Sequence, residues 1–141
     1  MTHAQGLKAA YERTTYWVDA QPDPIAVRVS ARNARLDRFL YSRGATYWAI
    51  LTAQNPHSEV KPRWYNAVRT LQLTRLMRAH GWGCVRTLAE ADRGDWPVEE
   101  GVLALGIAHA RARRLGRSFH QHAVLVGKRG QRARLLWCSA R

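Results

Sequence analysis

The apolar positions of this 141-residue chain fall into short runs whose period switches between that of a helix and that of a strand. Leu7, Ala10, Tyr11 and Trp17 form a short amphipathic pattern, which predicts an N-terminal helix running into an extended segment. Beyond Pro22 and Pro24, residues 25–29 alternate in part and predict a first strand. Leu36, Phe39, Leu40 and Tyr41 lie at helical spacings between Asn33, a good opening residue, and Arg43-Gly44, a common stop. Residues 46–53 are apolar enough for a central strand. Pro56 must end it, because proline cannot donate to a ladder and disfavours helical dihedrals at Asn55.

Pro62 suits the first turn of a helix reaching His80 and closed by Gly81. On that helix Trp64, Val68 and Leu71 share one face and Leu73, Leu76 and Met77 another, which predicts cover on more than one side and core packing for Trp64. A third strand is expected over 82–88, a polar turn over 90–97 and a buried strand in the apolar part of 98–107. A helix over 108–116 follows, with His109, Arg113 and Arg117 at i, i+4 spacing. Strand-like runs at 123–126 and 132–137, about the turn Gly127-Lys128-Arg129-Gly130, predict a hairpin. This order of elements implies a single α/β domain: one mixed sheet with helices packed on it as a sandwich.

The length suits one domain, so no disulfide staple is needed, and Cys84 and Cys138 fit neither a CxxC nor a Cys/His finger pattern. They read as buried thiols of a reducing compartment. No stretch has the length and apolarity of a signal peptide or a membrane span, so a cytoplasmic protein without membrane contact is expected. No cofactor motif appears: P-loop, GxGxxG, GxSxG and HExxH are all missing.

Charge changes the picture more. Lys and Arg number 23 against 10 Asp and Glu, a formal charge of +13, and no carboxylate side chain occurs from Gly101 to the end. That third carries Arg111, Arg113, Arg114, Arg117, Lys128, Arg129, Arg132 and Arg134. Such a surface suits a non-catalytic module that binds nucleic acid or another polyanion, since phosphate contacts release counterions and need no sequence code. It equally suits an acidic protein partner, a merely solvated face, or edge-strand protection by Arg132 and Arg134.

At Leu51-Thr52-Ala53-Gln54-Asn55-Pro56-His57-Ser58 the chain resembles a bacterial family known as domain of unknown function 3293. Asn66, Asp95-Trp96-Pro97-Val98-Glu99-Glu100, Leu105-Gly106-Ile107 and Phe119-His120-Gln121-His122-Ala123 extend the likeness over about residues 49–124. The resemblance implies no activity. Gln54 stands where the family typically has tryptophan, Gly101 where serine is frequent, and His120 and His122 flank Gln121 in place of a Gly-Gln-Asn run.

A helical crossover between the strands near 102 and 123 makes them parallel, so their N-terminal ends share one edge of the sheet. If the strand at 46–53 pairs antiparallel with the first of these, Asn55, Ser58, Glu100 and Gln121 meet there as a candidate ligand or catalytic cluster beside the N-terminus of the 62–80 helix. The same residues also fit a latch that only satisfies backbone groups. Glu99 and Glu100, adjacent in a strand, point to opposite faces and make a poor carboxylate pair. His57, His120 and His122 suggest the start of a metal site, or exposed histidines in a basic loop. Cys84 with His80 lacks an orienting third group for nucleophilic chemistry.

Overall fold

A computed structural model describes residues 3–94 and 96–139. Its elements are α1 (His3–Glu12), β1 (Thr14–Val18), β2 (Ile25–Val27), α2 (Ala34–Ser42), β3 (Tyr47–Thr52), α3 (Arg63–Ala79), β4 (Gly83–Ala91), β5 (Glu99–Leu105), α4 (His109–Ser118), β6 (Ala123–Lys128) and β7 (Arg134–Trp137), with one 3-10 turn at Pro56–Ser58. The strands form one seven-stranded sheet in the order β2-β1-β4-β5-β3-β6-β7. β5 and β6 run parallel, as the crossover by α4 requires, but β3 lies between them, so each hydrogen-bonded pair is antiparallel.

Side-chain alternation divides the core in two. Tyr16, Trp48, Ile50, Leu103 and Leu125 face α2, whose Leu36 and Leu40 complete one cluster, with Tyr11 of α1 packed against it. Ala49, Leu51, Val102, Ala104, Val124 and Val126 face α3 and α4, which contribute Leu73, Met77, Ala112 and Leu115. The result is a three-layer sandwich. Its helices have identifiable starts and seats: Asn33, with extended backbone, accepts from the Leu36 N–H at 3.0 Å and so caps α2. α4 lies so close to the sheet that a Cβ at Gly116 would stand 2.5 Å from Cys138 Sγ.

The extended segment expected after the first helix is β1, whose threonines and aromatics Thr14-Thr15-Tyr16-Trp17 favour a strand once β4 is there to pair with it. Two expectations change. β5 begins at Glu99, so both glutamates lie inside the ladder opposite Ala89 and Leu88. The outer face of α3 is uncovered: Trp64, Val68 and Leu71 are 69%, 49% and 48% exposed, because Leu73, Met77 and, in part, Leu76 are the side chains that turn to the sheet. Among the described residues no helix is long and apolar enough to cross a membrane.

Candidate functional site

Between α1 and the sheet lies a cavity of about 360 Å³. Its origin is compositional. α1 offers only Leu7 and Tyr11 as bulky apolar side chains, one turn apart, and the sheet beneath presents small residues, Ala89, Ala91, Gly101 and Ala123. Tyr16, Ile50 and Leu125 complete an apolar floor, and Asn55, Ser58, Trp96, Glu99, Gln121, Arg13 and Arg93 supply the polar lining. Gly101 is required: a Cβ there would meet the Leu51 carbonyl oxygen at 2.4 Å and Thr87 Oγ1 at 3.0 Å.

The expected pairing of β3 with β5 is present, with Thr52 opposite Gly101, and it brings the end of β3 beside the start of β5. Asn55 is 4% exposed and occupied on both ends of its amide. Its Nδ2 donates to Glu99 Oε2 at 2.8 Å, and its Oδ1 accepts from Asn66 Nδ2 and the Lys61 N–H, both at 2.9 Å. Asn66 Oδ1 in turn accepts from the Asn55 N–H at 2.9 Å. Gln121 Nε2 donates to the carbonyls of Gln54 at 3.0 Å and Phe119 at 3.3 Å, joining the two loops. Arg69, reaching from α3, donates to the Ala53 and Phe119 carbonyls and braces the same loops. The latch expected of these residues is therefore real, and it frames a cavity rather than filling one.

Ser58 and Gln121 line that cavity with Asn55, but Glu100 does not. Its side chain pairs with Arg86 at 3.3 Å on the α3/α4 side of the sheet, while its backbone N–H donates to Gln54 Oε1 at 3.1 Å. Glu99 takes the place assigned to Glu100, because it shares strand parity with Gly101 and Leu103 on the cavity side while Glu100 shares it with Val102 on the other. Trp96 Nε1 donates to the same Glu99 oxygen as Asn55, at 3.0 Å. Burial raises the Glu99 carboxyl above its ordinary range, against the opposing pull of the Asn55 and Trp96 hydrogen bonds. Burial, then the nearby Glu99 charge, raises the Tyr11 hydroxyl; burial, then Tyr11 and Glu99, raises that of Tyr16. Sequence reasoning missed Tyr11, Tyr16 and Trp96 as site residues, since aromatics in apolar runs look like core. Glu99 was legible only through the parity of its strand.

The loop backbone is unusual. Asn55, His57 and Ser58 have φ of 48°, 59° and 58°, and His120 across from them 58°, all left-handed without glycine. Asn and His tolerate this region better than most residues, and such conformations concentrate where surrounding structure dictates them. The His57 N–H donates to the His120 carbonyl at 2.8 Å and the two rings lie 4.8 Å apart. No group of three or more metal-ligating side chains exists among the described residues. Cys84 Sγ lies 3.8 Å from Met77 Sδ, its thiol raised by burial, and burial pushes the Cys138 thiol up to about 11. Neither is an activated nucleophile.

Several of the basic residues are engaged by the fold itself. Arg117 Nε donates to the Cys138 carbonyl at 2.8 Å, Arg113 to that of Ser139 at 3.3 Å, Arg129 to that of Ala45 at 3.1 Å and Arg132 to that of Ser30 at 3.1 Å. Arg134 donates to His109 Nδ1 at 3.3 Å, and His109 Nε2 stands 2.9 Å from the Gly127 carbonyl. Arg111 and Lys128 approach the rings of Trp82 and Tyr47, and Arg114 is exposed. The His109, Arg113 and Arg117 row is thus largely a seam tying α4 to the last strands. Among the described residues none of these cations is ion-paired with a carboxylate.

Fold and site together define an α/β/α sandwich with a polar-rimmed cavity at the end of its central strands. The chain belongs to the family described as Protein of unknown function (DUF3293), whose profile matches residues 51–124, a little over half of it. Asn55, Ser58, Glu99 and Gln121 fall inside the matched stretch, and Tyr11 and Tyr16 outside it. No curated protein and no solved structure matches the chain.

Proposed function

We propose that this protein binds a small molecule in the cavity beneath α1, with Asn55 and Gln121 holding the rim and Glu99, Ser58, Tyr11 and Tyr16 facing the ligand. The observation that carries this reading is the coincidence of the loop cluster with a cavity of about 360 Å³, near the lower end of the usual range for ligand pockets. An apolar floor and a few fixed polar groups are the ordinary composition of such sites. The rim carries no hydroxyl or thiol hydrogen-bonded to a base among the described residues, so binding is favoured over a defined reaction. Amide-shift mapping against a library of small aromatics tests it. Perturbations should gather at Tyr11, Tyr16, Ala89, Glu99 and Gln121 and vanish when Ala89→Phe fills the floor. Shifts scattered over the surface and unaffected by Ala89→Phe would overturn it.

A second reading, a polyanion-binding surface, has its own support. Arg111, Arg113, Arg114, Arg117, Lys128, Arg129, Arg132 and Arg134 have no carboxylate partner among the described residues. Arg129 and Lys128 also lie over the exposed rings of Tyr41 and Tyr47, 74% and 44% exposed, as a stacking surface for bases would require. Fluorescence anisotropy with a mixed oligonucleotide should detect salt-sensitive binding at about 50 mM salt, and no binding under that condition removes this reading.

A further inference from the structure

Glu99 is the one carboxylate lining the cavity among the described residues, and only half of its acceptor capacity is used. Asn55 Nδ2 and Trp96 Nε1 both donate to Oε2, at 2.8 and 3.0 Å, and no described residue donates to Oε1. The donors that hold Glu99 are themselves fixed: Asn55 Oδ1 already accepts from Asn66 and Lys61, so its amide cannot turn over to serve a ligand. The donor end of Gln121 is likewise spent on the Gln54 and Phe119 carbonyls, leaving its acceptor end open. Arg13 and Arg93 line the cavity, yet neither forms an ion pair with Glu99. A half-buried carboxylate with an open oxygen and no ion-paired cation presents an acceptor that a positive, donor-bearing group would complete with a charge-assisted hydrogen bond.

From this geometry we propose that the ligand is a small organic cation, a primary amine or amidine carried on an apolar or aromatic body, whose N–H groups seat on Glu99 Oε1 while the body lies over Ile50, Ala89 and Leu125 under α1. This rests on the cavity being the binding site. A metal ion is disfavoured because no group of three or more metal-ligating side chains exists among the described residues, whereas the aromatic residues Tyr11 and Tyr16 in the lining suit an organic cation. Of the formal charge of +13, the distant surface part is screened within about 10 Å at ordinary salt; Arg13 and Arg93, which line the cavity, oppose a cation, so its seat is the direct contact with Glu99.

Benzamidine and benzamide, similar in shape but charged and neutral respectively, distinguish the cation claim from the cavity claim. Titrated into the full chain and followed by amide shifts and calorimetry, benzamidine should bind at least about tenfold tighter than benzamide, the scale of a charge-assisted hydrogen bond. Glu99→Gln, nearly isosteric and checked for folding by circular dichroism, should erase that preference while leaving benzamide within about twofold. Glu100→Gln, on the opposite face, should leave the preference intact. Equal affinity of the two probes for the unaltered chain, or a preference that survives Glu99→Gln, would overturn the cation assignment and leave the cavity reading standing. Absence of saturable shifts at the cavity with either probe would overturn both.

Discussion

The two faces of the sheet are finished in different ways. On the α3/α4 side Leu51, Leu73, Met77 and Ile107 are each no more than 2% exposed, and the packing is continuous. On the other side α2 seals one end with Leu36 and Leu40, while α1, short and rich in small residues, leaves a cavity over Ala89, Gly101 and Ala123. Glu99 and Glu100 divide between these faces. One pairs with Arg86 at a surface where such a bond is worth little, and the other is drawn into a poorly solvated rim. Adjacent identical residues thus acquire unlike chemistry from strand parity alone.

The contrast predicts a graded set of effects. Leu73→Ala, in the packed face, should cost about 2–5 kcal/mol by chemical denaturation, whereas Leu7→Ala over the cavity should cost less than about 1 kcal/mol. Comparable losses at the two sites would mean that the space under α1 is closed. Asn55→Ala should cost about 2–3 kcal/mol, since it strands Asn66, the Lys61 N–H and Glu99 and forces alanine into the left-handed region. Asn55→Gly keeps the first penalty and relieves the second, so it should be milder by about 1 kcal/mol. Gly101→Ala should destabilise by about 1–3 kcal/mol through the contacts its Cβ makes with Leu51 and Thr87. A neutral result there would show that β3 and β5 separate more readily than the register implies.

The smallest effect is one of sign. Because burial raises the folded pKa of Glu99 above its unfolded value, the native state holds the proton more tightly than the unfolded chain. Stability from this group is therefore greatest below the ordinary carboxylate value and declines as pH rises towards the raised one. Glu99→Gln removes that decline, so the unliganded variant should melt at a higher temperature than the parent at neutral pH, and the gain should shrink as pH approaches about 4. A variant that loses stability at neutral pH would mean the hydrogen bonds from Asn55 and Trp96 outweigh the cost of burial.

Much of this architecture was readable from periodicity. The central strand ending at Pro56, the long helix after Pro62, the α4 crossover and the closing hairpin are all present, and their connectivity alone brings Asn55 near Gln121. What failed did so for lack of tertiary information. Trp64 is exposed because no further layer exists beyond α3, and Glu99 rather than Glu100 faces the cavity because it shares strand parity with Gly101 and Leu103. Arg113, Arg117, Arg129 and Arg132 each hold a backbone carbonyl, a role that composition does not reveal. A cavity has no sequence signature at all beyond a run of small residues whose shared face emerges only when the strands are assembled.

The proposal that the half-buried Glu99 receives a cation at its open oxygen is tested most directly by a carbon-13 titration of its side-chain carboxyl with and without benzamidine. The signal should titrate above the ordinary range for glutamate in the free protein, and saturating benzamidine should lower its midpoint and move its shift, because a cation favours the charged form. A midpoint at or below the ordinary value, indifferent to benzamidine, would contradict it.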